Sequence, residues 1–365
     1  MNSTASSSAV WLPWMQRALL LAALAEGGTS PNPLVGAVVL NASGLLVGEG
    51  FHACAGQPHA EVGALAQAGE QAKGGTLVVT LEPCCHQGQT PPCTEAVLAA
   101  GISRVVIAMQ DPDPRVAGAG IERLRDAGLE VITGVLEPQA ADQNRAFVHR
   151  ISTGRPWGIL KWAMSLDGRT ALPNGASQWI SGPQARSWVH RLRARCDAVI
   201  VGGGTLRADD PLLTSRGQRH PEPLRVVLSR SIDLPIEAQL WDTAVARTLI
   251  AHGPAVSAAQ DTQLPVGPEL LALPASEPLD LLEALAQRDC NRVLWECGPG
   301  LAAAALQQGC VQELAVVVAP RLLGGMPART PLADLGFTSM KQVLVLEPGS
   351  SQQLGTDLLL QMLLS

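Results

Sequence analysis

Aromatic residues are scarce in this sequence, which has no tyrosine and only three phenylalanines among 365 residues. Proteins that bind single-stranded nucleic acid use aromatic side chains as platforms on which bases stack. The formal net charge of −6 also gives the chain no overall attraction to a polyanion. We therefore expect no nucleic-acid partner.

Long apolar runs are also missing from the N-terminal region, where a targeting signal or a membrane anchor would be sought. The one candidate segment, residues 18–25, is eight residues long, whereas a membrane-spanning helix needs about 20. It follows a single Arg17 and runs into Glu26-Gly-Gly28 without the pattern of a cleavage site. These features predict no membrane segment and a cytoplasmic location.

Regular cysteine spacing is a third absence. Three of the eight cysteines fall between residues 84 and 93 and the others are scattered, whereas disulfide frameworks belong to small secreted domains. At this length, and with 47% hydrophobic residues, burial of a core can stabilise the chain without disulfides. The thiols are predicted to be reduced, and some of them to be metal ligands.

The length and the hydrophobic pattern predict two domains. Residues 1–14 are expected to be disordered, because the chain opens with a run of Ser, Thr and Ala. Polar, Gly and Pro residues break the pattern between residues 147 and 156, which predicts a first domain at 15–150 and a second at 155–365.

Helical and strand patterns alternate in both domains, and this alternation predicts the α/β fold class. The pattern is weakest over residues 233–278, which contain several Pro and Gly. Helices are predicted at residues 15–25, 60–68, 94–100, 120–127, 183–196, 279–287 and 301–308. Strands are predicted at residues 35–40, 45–50, 76–81, 104–109, 130–133, 157–164, 198–201, 224–228, 293–296 and 313–318.

The strongest chemical signal is His59-Ala60-Glu61 together with Cys84 and Cys93. Zinc that catalyses hydrolysis takes three protein ligands and keeps a fourth position for water, and one histidine with two thiolates meets that number. The His-x-Glu pair resembles the signature of zinc deaminases, in which the histidine binds the metal and the glutamate does not. The resemblance implies the metal ligands His59, Cys84 and Cys93 and a proton-transferring Glu61.

Other ligand sets stay open on the sequence alone. Cys84 and Cys93 are nine residues apart, which departs from the short Pro-Cys-x-x-Cys form, so both bind one ion only if the loop between them folds back. Cys85 points away from Cys84 in a regular backbone. A closed four-ligand structural site is a further alternative, although it leaves Glu61 without a role. The residues near enough in sequence to compete are His52, Cys54, Cys85 and His86.

Longer motifs give the chain a more specific resemblance. It resembles the bifunctional deaminase/reductase family of bacterial riboflavin biosynthesis in Pro31-Asn-Pro-Leu-Val-Gly36, in Thr80-Leu-Glu-Pro-Cys84 and in the loop that ends Thr90-Pro-Pro-Cys93. The resemblance continues through Ala108-Met-Gln-Asp-Pro112 into the second domain. It implies a cytidine-deaminase-like first domain that deaminates a phosphorylated pyrimidine, 2,5-diamino-6-(5-phosphoribosylamino)pyrimidin-4-one.

Two strand–glycine–helix junctions mark the second domain. The strand at residues 198–201 runs into Gly202-Gly-Gly204-Thr205, and the strand at 293–296 runs into Cys297-Gly-Pro-Gly300. Backbone N–H groups at such a helix start suit the pyrophosphate of a nucleotide cofactor. Neither junction has the Gly-x-Gly-x-x-Gly fingerprint, so tight glycine turns without a ligand remain the alternative.

Two arginines offer a second indication of a ligand. Arg186 and Arg193 are seven residues apart in the predicted helix at 183–196 and share one of its faces. This cationic face suits a phosphate group, and a solvated arginine face is the alternative.

The second domain resembles the reductase half of the same family in four segments: Lys161-Trp-Ala-Met-Ser-Leu-Asp-Gly-Arg169, Ser177-Gln-Trp-Ile-Ser181, Asp209-Asp-Pro211 and Glu296-Cys-Gly-Pro299. The resemblance implies a dihydrofolate-reductase-like fold, NADPH as cofactor and reduction of a ribosyl group to ribityl. The implied cofactor contacts are Ala163, Trp179, Thr205, Asp209, Gly298, Pro299, Gly300, Leu301, Ala302, Ala303 and Ala304. The implied substrate contacts are Ser177, Arg193, Leu213, Arg216 and Glu296. A further cofactor contact, a serine after the strand at 226–228, is not carried over because Ser229 is followed here by Arg230.

The motifs together predict a bifunctional enzyme with zinc and NADPH as cofactors, which we expect to form a homo-oligomer. A nucleoside or tRNA deaminase fused to an unrelated domain is the enzymatic alternative, and the acidic charge and scarce aromatic residues disfavour it. A non-catalytic, zinc-stapled regulator that binds NADP(H) is the alternative from another class. An open zinc site beside Glu61 argues against it.

Overall fold

A computed structural model describes residues 9–87, 91–254 and 267–364 of the chain. The chain divides into two compact units between Thr153 and Gly154. Each unit has one β-sheet with helices packed against it, so the predicted α/β fold class is confirmed. Every helix in the described ranges falls short of the length and apolar character that a membrane crossing requires.

The first unit contains five strands and six α-helices among the described residues. The strands are β1 (Gly36–Leu40), β2 (Leu46–Phe51), β3 (Thr76–Leu81), β4 (Arg104–Met109) and β5 (Glu130–Thr133). The helices are α1 (Leu12–Ala23), α2 (Ala60–Ala68), α3 (Cys93–Ala99), α4 (Ala119–Asp126), α5 (Glu137–Gln143) and α6 (Arg145–Thr153). The sheet order is β2-β1-β3-β4-β5, in which β1 is antiparallel to both of its neighbours and the other pairs are parallel.

A close approach of helix and sheet fixes the start of α2. A Cβ atom added to Gly50 in β2 would lie 2.4 Å from the carbonyl oxygen of Ala60. Only glycine fits at such a distance. The sheet therefore holds the first turn of α2 tightly, and that turn carries Glu61 and directly follows His59.

The N-terminal segment corrects one prediction. The expected disorder of residues 1–14 is wrong for residues 9–14, which form a short 3-10 turn and the first residues of α1, while residues 1–8 lie outside the described ranges. Trp11 and Trp14 pack against the hydrophobic core of the first unit. The large apolar surface of these two rings offsets the entropy lost when the segment becomes ordered.

The second unit contains nine strands and four α-helices among the described residues. The strands are β6 (Trp157–Ser165), β7 (Ala198–Gly202), β8 (Leu224–Ser229), β9 (Thr248–His252), β10 (Glu269–Ala272), β11 (Arg292–Trp295), β12 (Glu313–Ala319), β13 (Leu346–Leu354) and β14 (Asp357–Leu364). The helices are α7 (Pro183–Ala194), α8 (Gly203–Asp209), α9 (Pro278–Ala286) and α10 (Pro299–Gln307). The sheet order is β10-β9-β8-β7-β11-β6-β12-β14-β13, parallel except for the two pairs that β14 makes.

Four of these strands are absent from the sequence-based pattern, and each omission has a physical reason. β9 and β10 are short and lie in the Pro- and Gly-containing stretch 233–278. β14 is a nearly continuous apolar run, which periodicity alone does not assign to a strand or a helix. β13 has little apolar alternation because eight of its nine residues are exposed at the edge of the sheet.

Candidate active sites

The three predicted metal ligands come from the ends of three different elements. His59 immediately precedes α2, Cys84 lies three residues beyond β3, and Cys93 is the first residue of α3. The backbone N–H of Cys93 donates to the Sγ of Cys84 at 3.3 Å. Cys84 and Cys93 therefore lie next to each other, as joint binding of one ion requires.

The side chains of these three residues converge. One potential ligand atom from each lies within 4.8 Å of the others, and within the described ranges they form the one such group of histidine, cysteine and acidic residues. The Nδ1 of His59 is 3.1 Å from the Sγ of Cys93 and 3.7 Å from that of Cys84. Tetrahedral coordination at about 2.0–2.3 Å separates ligand atoms by about 3.3–3.8 Å. The spacing and the set of one imidazole and two thiols both fit zinc.

The competing candidates His52, Cys54, Cys85 and His86 do not belong to this group. His52 instead bridges two backbone segments. Its Nε2 accepts a hydrogen bond from the Nδ2 of Asn32 at 3.0 Å, and its Nδ1 lies 3.2 Å from the carbonyl oxygen of Pro58. Because the amide nitrogen is only a donor, Nδ1 must carry the ring proton and donate to that carbonyl. The ring also packs edge-on against His59, with 5.2 Å between the centroids.

The acid–base candidate Glu61 is almost completely buried in the first turn of α2, with 3% of its surface exposed. Burial raises the pKa of Glu61 to about 7, although its own backbone N–H and the nearby His59 act in the opposite direction. A carboxyl group with a pKa near neutrality can both accept and release a proton at physiological pH.

The Cys84 and Cys93 thiols differ in acidity. A hydrogen bond from Cys93 lowers the pKa of the Cys84 thiol against the opposing effect of burial, and His59 lowers it further. The pair therefore favours a thiolate at Cys84, and the thiolate is the form of cysteine that binds metals.

A second buried glutamate, Glu82, fixes the loop that carries Cys84. Its carboxylate accepts four backbone hydrogen bonds, from Asp111 at 3.1 Å, Gly118 at 3.0 Å, Gly120 at 2.8 Å and Ile121 at 3.1 Å. The last three donors lie at the N-terminus of α4, where a negative charge is favourable. Its motif assigns Glu82 no role, and an acidic residue directly after the mostly apolar strand β3 was the available signal of this role.

In the second unit, Glu296 lies in a buried cluster of charged side chains. The Nε and Nη2 of Arg193 donate to its two carboxylate oxygens at 2.6 and 3.2 Å, and the Nζ of Lys161 is 3.7 Å away. Burial alone would raise the pKa of Glu296, but the charges of Arg193 and Lys161 outweigh it and lower the pKa to about 2. Burial lowers the pKa of Lys161, and the charge of Glu296 opposes this effect.

Lys161 belongs to a motif of the second domain, but the sequence predicts no role for it. A charged residue in the middle of the otherwise apolar β6 was the signal that could have identified it. The same cluster reaches the next loop, because the Nη1 of Arg193 donates to the carbonyl oxygen of Thr214 at 3.0 Å.

The two arginines of α7 do not act as the single cationic face that their spacing suggested. Arg193 is paired with Glu296, whereas the guanidinium of Arg186 lies 4.5 Å from the ring centroid of Trp179. The Nη1 of Arg186 also donates to the carbonyl oxygen of Ser181 at 2.7 Å. Trp179 itself is 61% exposed, so this stacked pair lies at the surface of the unit.

The two glycine junctions lie side by side, because β7 and β11 are neighbouring parallel strands. A Cβ atom on Gly298 would lie 3.6 Å from the Oγ1 of Thr205, and one on Gly202 would lie 3.3 Å from the side chain of Leu301. Gly298 is the residue before α10, and Pro299 occupies its first turn. Most of the predicted cofactor contacts, from Gly298 to Ala304, therefore belong to one helix start beside Thr205.

The remaining predicted contacts surround these junctions in different environments. The Oγ of Ser177 donates to a carboxylate oxygen of Asp209 at 3.4 Å, at the end of α8. Leu213 is buried and Arg216 is exposed. Ala163 lies in β6 two residues after Lys161 and packs against the core on the same face as Leu213.

Comparisons with known families match the two units separately. Residues 12–109 match the family described as the cytidine and deoxycytidylate deaminase zinc-binding region. Residues 156–360 match the RibD C-terminal domain. The chain is therefore a zinc-dependent deaminase joined to an NADPH-dependent reductase, and the alternative of a deaminase with an unrelated fused domain is wrong.

Similar proteins span nearly the full length of the chain. Riboflavin biosynthesis protein RibD of Synechocystis is 52% identical over 94% of this chain and 93% of its own, and RibD of Escherichia coli is 43% identical over 90% and 95%. The solved structure of Acinetobacter baumannii RibD matches with a TM-score of 0.87 at 42% identity, over 97% of this chain and 98% of that one. The chain belongs to the RibD family of bifunctional deaminase/reductases in riboflavin biosynthesis.

Proposed function

We propose that His59, Cys84 and Cys93 hold one zinc ion and that Glu61 transfers protons during hydrolytic deamination of a pyrimidine. The observation that carries this proposal is the convergence of the three ligand atoms within 4.8 Å. Three protein ligands leave one position open, as catalysis requires. No fourth histidine, cysteine or acidic residue joins the group within the described ranges, which argues against a closed structural site.

Bound by His59, Cys84 and Cys93, zinc would supply an activated water for attack on the ring carbon that carries the amino group. The carboxylate of Glu61 accepts a proton from that water and donates it to the departing nitrogen. Its pKa of about 7 suits both halves of this transfer. His52 and Asn32 support the site by holding the segment before His59 in place.

For the reductase we propose that NADPH lies along the start of α10 and beside Thr205. NADPH would supply a hydride, and the free backbone N–H groups at the helix start would hold its phosphates. The glycines of both junctions allow the close approach that a pyrophosphate needs. Trp179, Asp209 and Ala163 complete the proposed cofactor contacts.

The proposed substrate contacts are Ser177, Arg193, Leu213, Arg216 and Glu296. Arg193 uses three of its five N–H groups on Glu296 and Thr214, so its charge is largely neutralised. Arg216 is exposed and forms no ion pair or hydrogen bond with another described residue. We therefore assign the phosphate of the substrate mainly to Arg216, and to Arg193 the orientation of Glu296.

The solved relative from Thermotoga maritima is a diaminohydroxyphosphoribosylaminopyrimidine deaminase/5-amino-6-(5-phosphoribosylamino)uracil reductase, 32% identical to this chain with a TM-score of 0.87. We propose the same two steps here, in which the first domain (15–150) deaminates 2,5-diamino-6-(5-phosphoribosylamino)pyrimidin-4-one and the second (155–365) reduces the ribosyl group to ribityl. Ammonia release and NADPH oxidation, assayed separately on the substrate and on its deaminated product, test the proposal. If the undeaminated substrate supported NADPH oxidation as fast as the deaminated product does, the proposed order of the steps would be wrong.

We also propose that the chain forms a homo-oligomer through the edge of the second sheet. β13 is one of the two edge strands of this sheet among the described residues and is exposed along almost its whole length. The neighbouring Met340 and Leu344 are 85% and 42% exposed. Exposed apolar residues beside an open sheet edge promote association. Sedimentation analysis tests this, and a monomer at micromolar concentration would contradict it.

A further inference from the structure

The loop after α8 adopts an unusual backbone conformation. Leu213 and Arg216 have φ angles of 56° and 59°, in the left-handed region that non-glycine residues rarely occupy. Each such residue costs of order 1 kcal/mol and persists only where its surroundings hold it. Both are also proposed substrate contacts, so the question is which group in the protein maintains this conformation.

Glu222 contacts the backbone on both sides of Arg216. Its Oε2 accepts a hydrogen bond from the backbone N–H of Ser215 at 2.6 Å, and its Oε1 accepts one from that of Gly217 at 2.9 Å. One carboxylate thereby binds the peptide groups that flank the strained residue. These two bonds restrain the turn at Arg216 without using the Arg216 side chain.

Other contacts make the rest of the loop rigid. Ser215 is completely buried, and its Oγ accepts a hydrogen bond from the backbone N–H of Arg219 at 3.2 Å. The Nη1 of Arg219 donates to the carbonyl oxygen of Cys196 at the end of α7, and Arg193 holds the carbonyl oxygen of Thr214. These contacts hold the loop on both sides of Arg216, whose own side chain is exposed.

Glu222 is ionised at neutral pH. Burial raises its pKa, but hydrogen bonds from Ser215 and Gly217 and the charge of Arg193 outweigh this effect, so the pKa lies below its ordinary value. The ionised carboxylate offers one acceptor oxygen to each of the two amides. A neutral amide at this position would present an NH2 group to one of the two N–H donors.

We propose that Glu222 is a positioning residue of the reductase, which locks the left-handed turn and thereby aims Arg216 at the phosphate of the substrate. This inference rests on the proposed role of Arg216 as the phosphate contact. It gives Glu222 no contact with the reacting atoms. Its effect is expected in substrate affinity, because a pre-ordered arginine loses less entropy when it binds an anion.

The test compares Glu222→Gln, Arg216→Ala and the double variant with Glu237→Gln as the matched control. Glu237 is exposed and has no hydrogen bond or ion pair within the described ranges. NADPH oxidation is measured on 5-amino-6-(5-phosphoribosylamino)uracil and on the same compound without its phosphate. Glu222→Gln should raise KM for the phosphorylated compound about tenfold, as loss of one charge-assisted contact does. The kcat, the KM for NADPH and the kinetics of the dephosphorylated compound should stay near wild type, and Glu237→Gln should change none of them.

The outcomes distinguish failure of the phosphate role of Arg216 from failure of the positioning role of Glu222. If Arg216→Ala leaves KM for the phosphorylated compound unchanged, the phosphate assignment fails whatever Glu222 does. If Arg216→Ala raises KM and Glu222→Gln does not, the positioning role is overturned. The double variant should resemble Arg216→Ala alone, whereas additive effects would mean that Glu222 acts independently.

If Glu222→Gln does not fold, Glu222→Asp, which keeps the charge but is too short to reach both amides, should still raise KM selectively. A parallel loss of kcat and NADPH affinity would overturn the proposal.

Discussion

Glu61 in the first unit and Glu296 in the second have opposite acid–base character. Both Glu61 and Glu296 lie at the start of a helix or just before one, and both are proposed site residues. The pKa of Glu61 is raised to about 7, whereas that of Glu296 is lowered to about 2. Burial raises the pKa in both cases, so the difference comes from the neighbours. Glu296 has Arg193 and Lys161 beside it, and Glu61 has no arginine or lysine among the groups that shift its pKa.

This contrast matches the chemistry proposed for each unit. A carboxyl group that changes protonation near pH 7 can transfer protons, as hydrolytic deamination requires. A carboxylate that stays ionised holds its cationic partners in a fixed arrangement, which suits a binding site. The same side chain therefore serves two purposes, and the presence or absence of a neighbouring arginine or lysine distinguishes them.

The largest expected effect comes from removing the zinc ligands beside Glu61. Cys84→Ala and Cys93→Ala should each lose the metal and all measurable deamination, because two protein ligands do not hold zinc in a catalytic site. Cys85→Ala is the matched control and should keep about one zinc per chain. Metal analysis of the purified variants decides the matter. Loss of zinc from Cys85→Ala with retention in Cys93→Ala would contradict the ligand set.

Glu61→Gln tests the proton-transfer side of the comparison. It keeps the size and polarity of the side chain and removes its acid–base function, so deamination should fall by about 100-fold or more. Zinc content should stay at the wild-type level, and NADPH oxidation on the deaminated product should continue at the normal rate. Retained ammonia release would contradict the assigned role, and lost zinc would make Glu61 a ligand or a structural support.

The sequence allowed more of the first site to be predicted than of the second. His59, Glu61, Cys84 and Cys93 belong to short motifs whose residue types are dictated by metal chemistry, and the structure brings the three ligand candidates together. Their roles remain predictions until the variants are measured.

The second site depends on contacts between residues far apart in the chain, which spacing does not reveal. Lys161 and Glu296 are brought together by β6 and β11, which pair in parallel. Glu222 accepts hydrogen bonds from the backbone N–H groups of Ser215 and Gly217, on either side of Arg216, and no motif marks these contacts. Arg186 and Arg193 share a helix face, as their spacing predicts. Their guanidinium groups contact different partners, however: Arg193 pairs with Glu296 and Arg186 stacks on Trp179.

Arg193→Ala should make Glu296 behave more like Glu61. Without its main cationic partner, the buried carboxylate keeps only Lys161 and its pKa should rise from about 2. Removing one partner of a buried ion pair is costly, and we expect the reductase to lose about 2 kcal/mol in kcat/KM at pH 7. The loss should increase as the pH falls, because more of Glu296 becomes protonated. Arg191→Ala, an exposed change on the same helix, is the control. A pH profile identical to that of the wild type would contradict the ion-pair explanation.

The smallest expected effect concerns Asp111, a half-buried carboxyl group of the first unit whose pKa lies between those of Glu61 and Glu296. Burial raises the pKa of Asp111 to about 6, and the charges of Asp113 and Glu82 add to this, while the N–H of Asp113 and His86 oppose it. The unfolded value is about 3.9, so the folded state holds the proton more tightly and stability should fall as the pH rises from about 4 to about 6. Asp111→Asn keeps the acceptor for Asp113 and removes the charge, and it should therefore stabilise the zinc-loaded enzyme by about 1 kcal/mol at pH 7 and by almost nothing near pH 4.

Asp113→Asn is the matched control of opposite sign, because Arg115 lowers the pKa of Asp113 and the loss of that pair should destabilise the protein at pH 7. Thermal unfolding at both pH values measures the two variants, and a stabilisation by Asp111→Asn that is equal at pH 4 and pH 7 would mean that its cause is packing and not the buried charge.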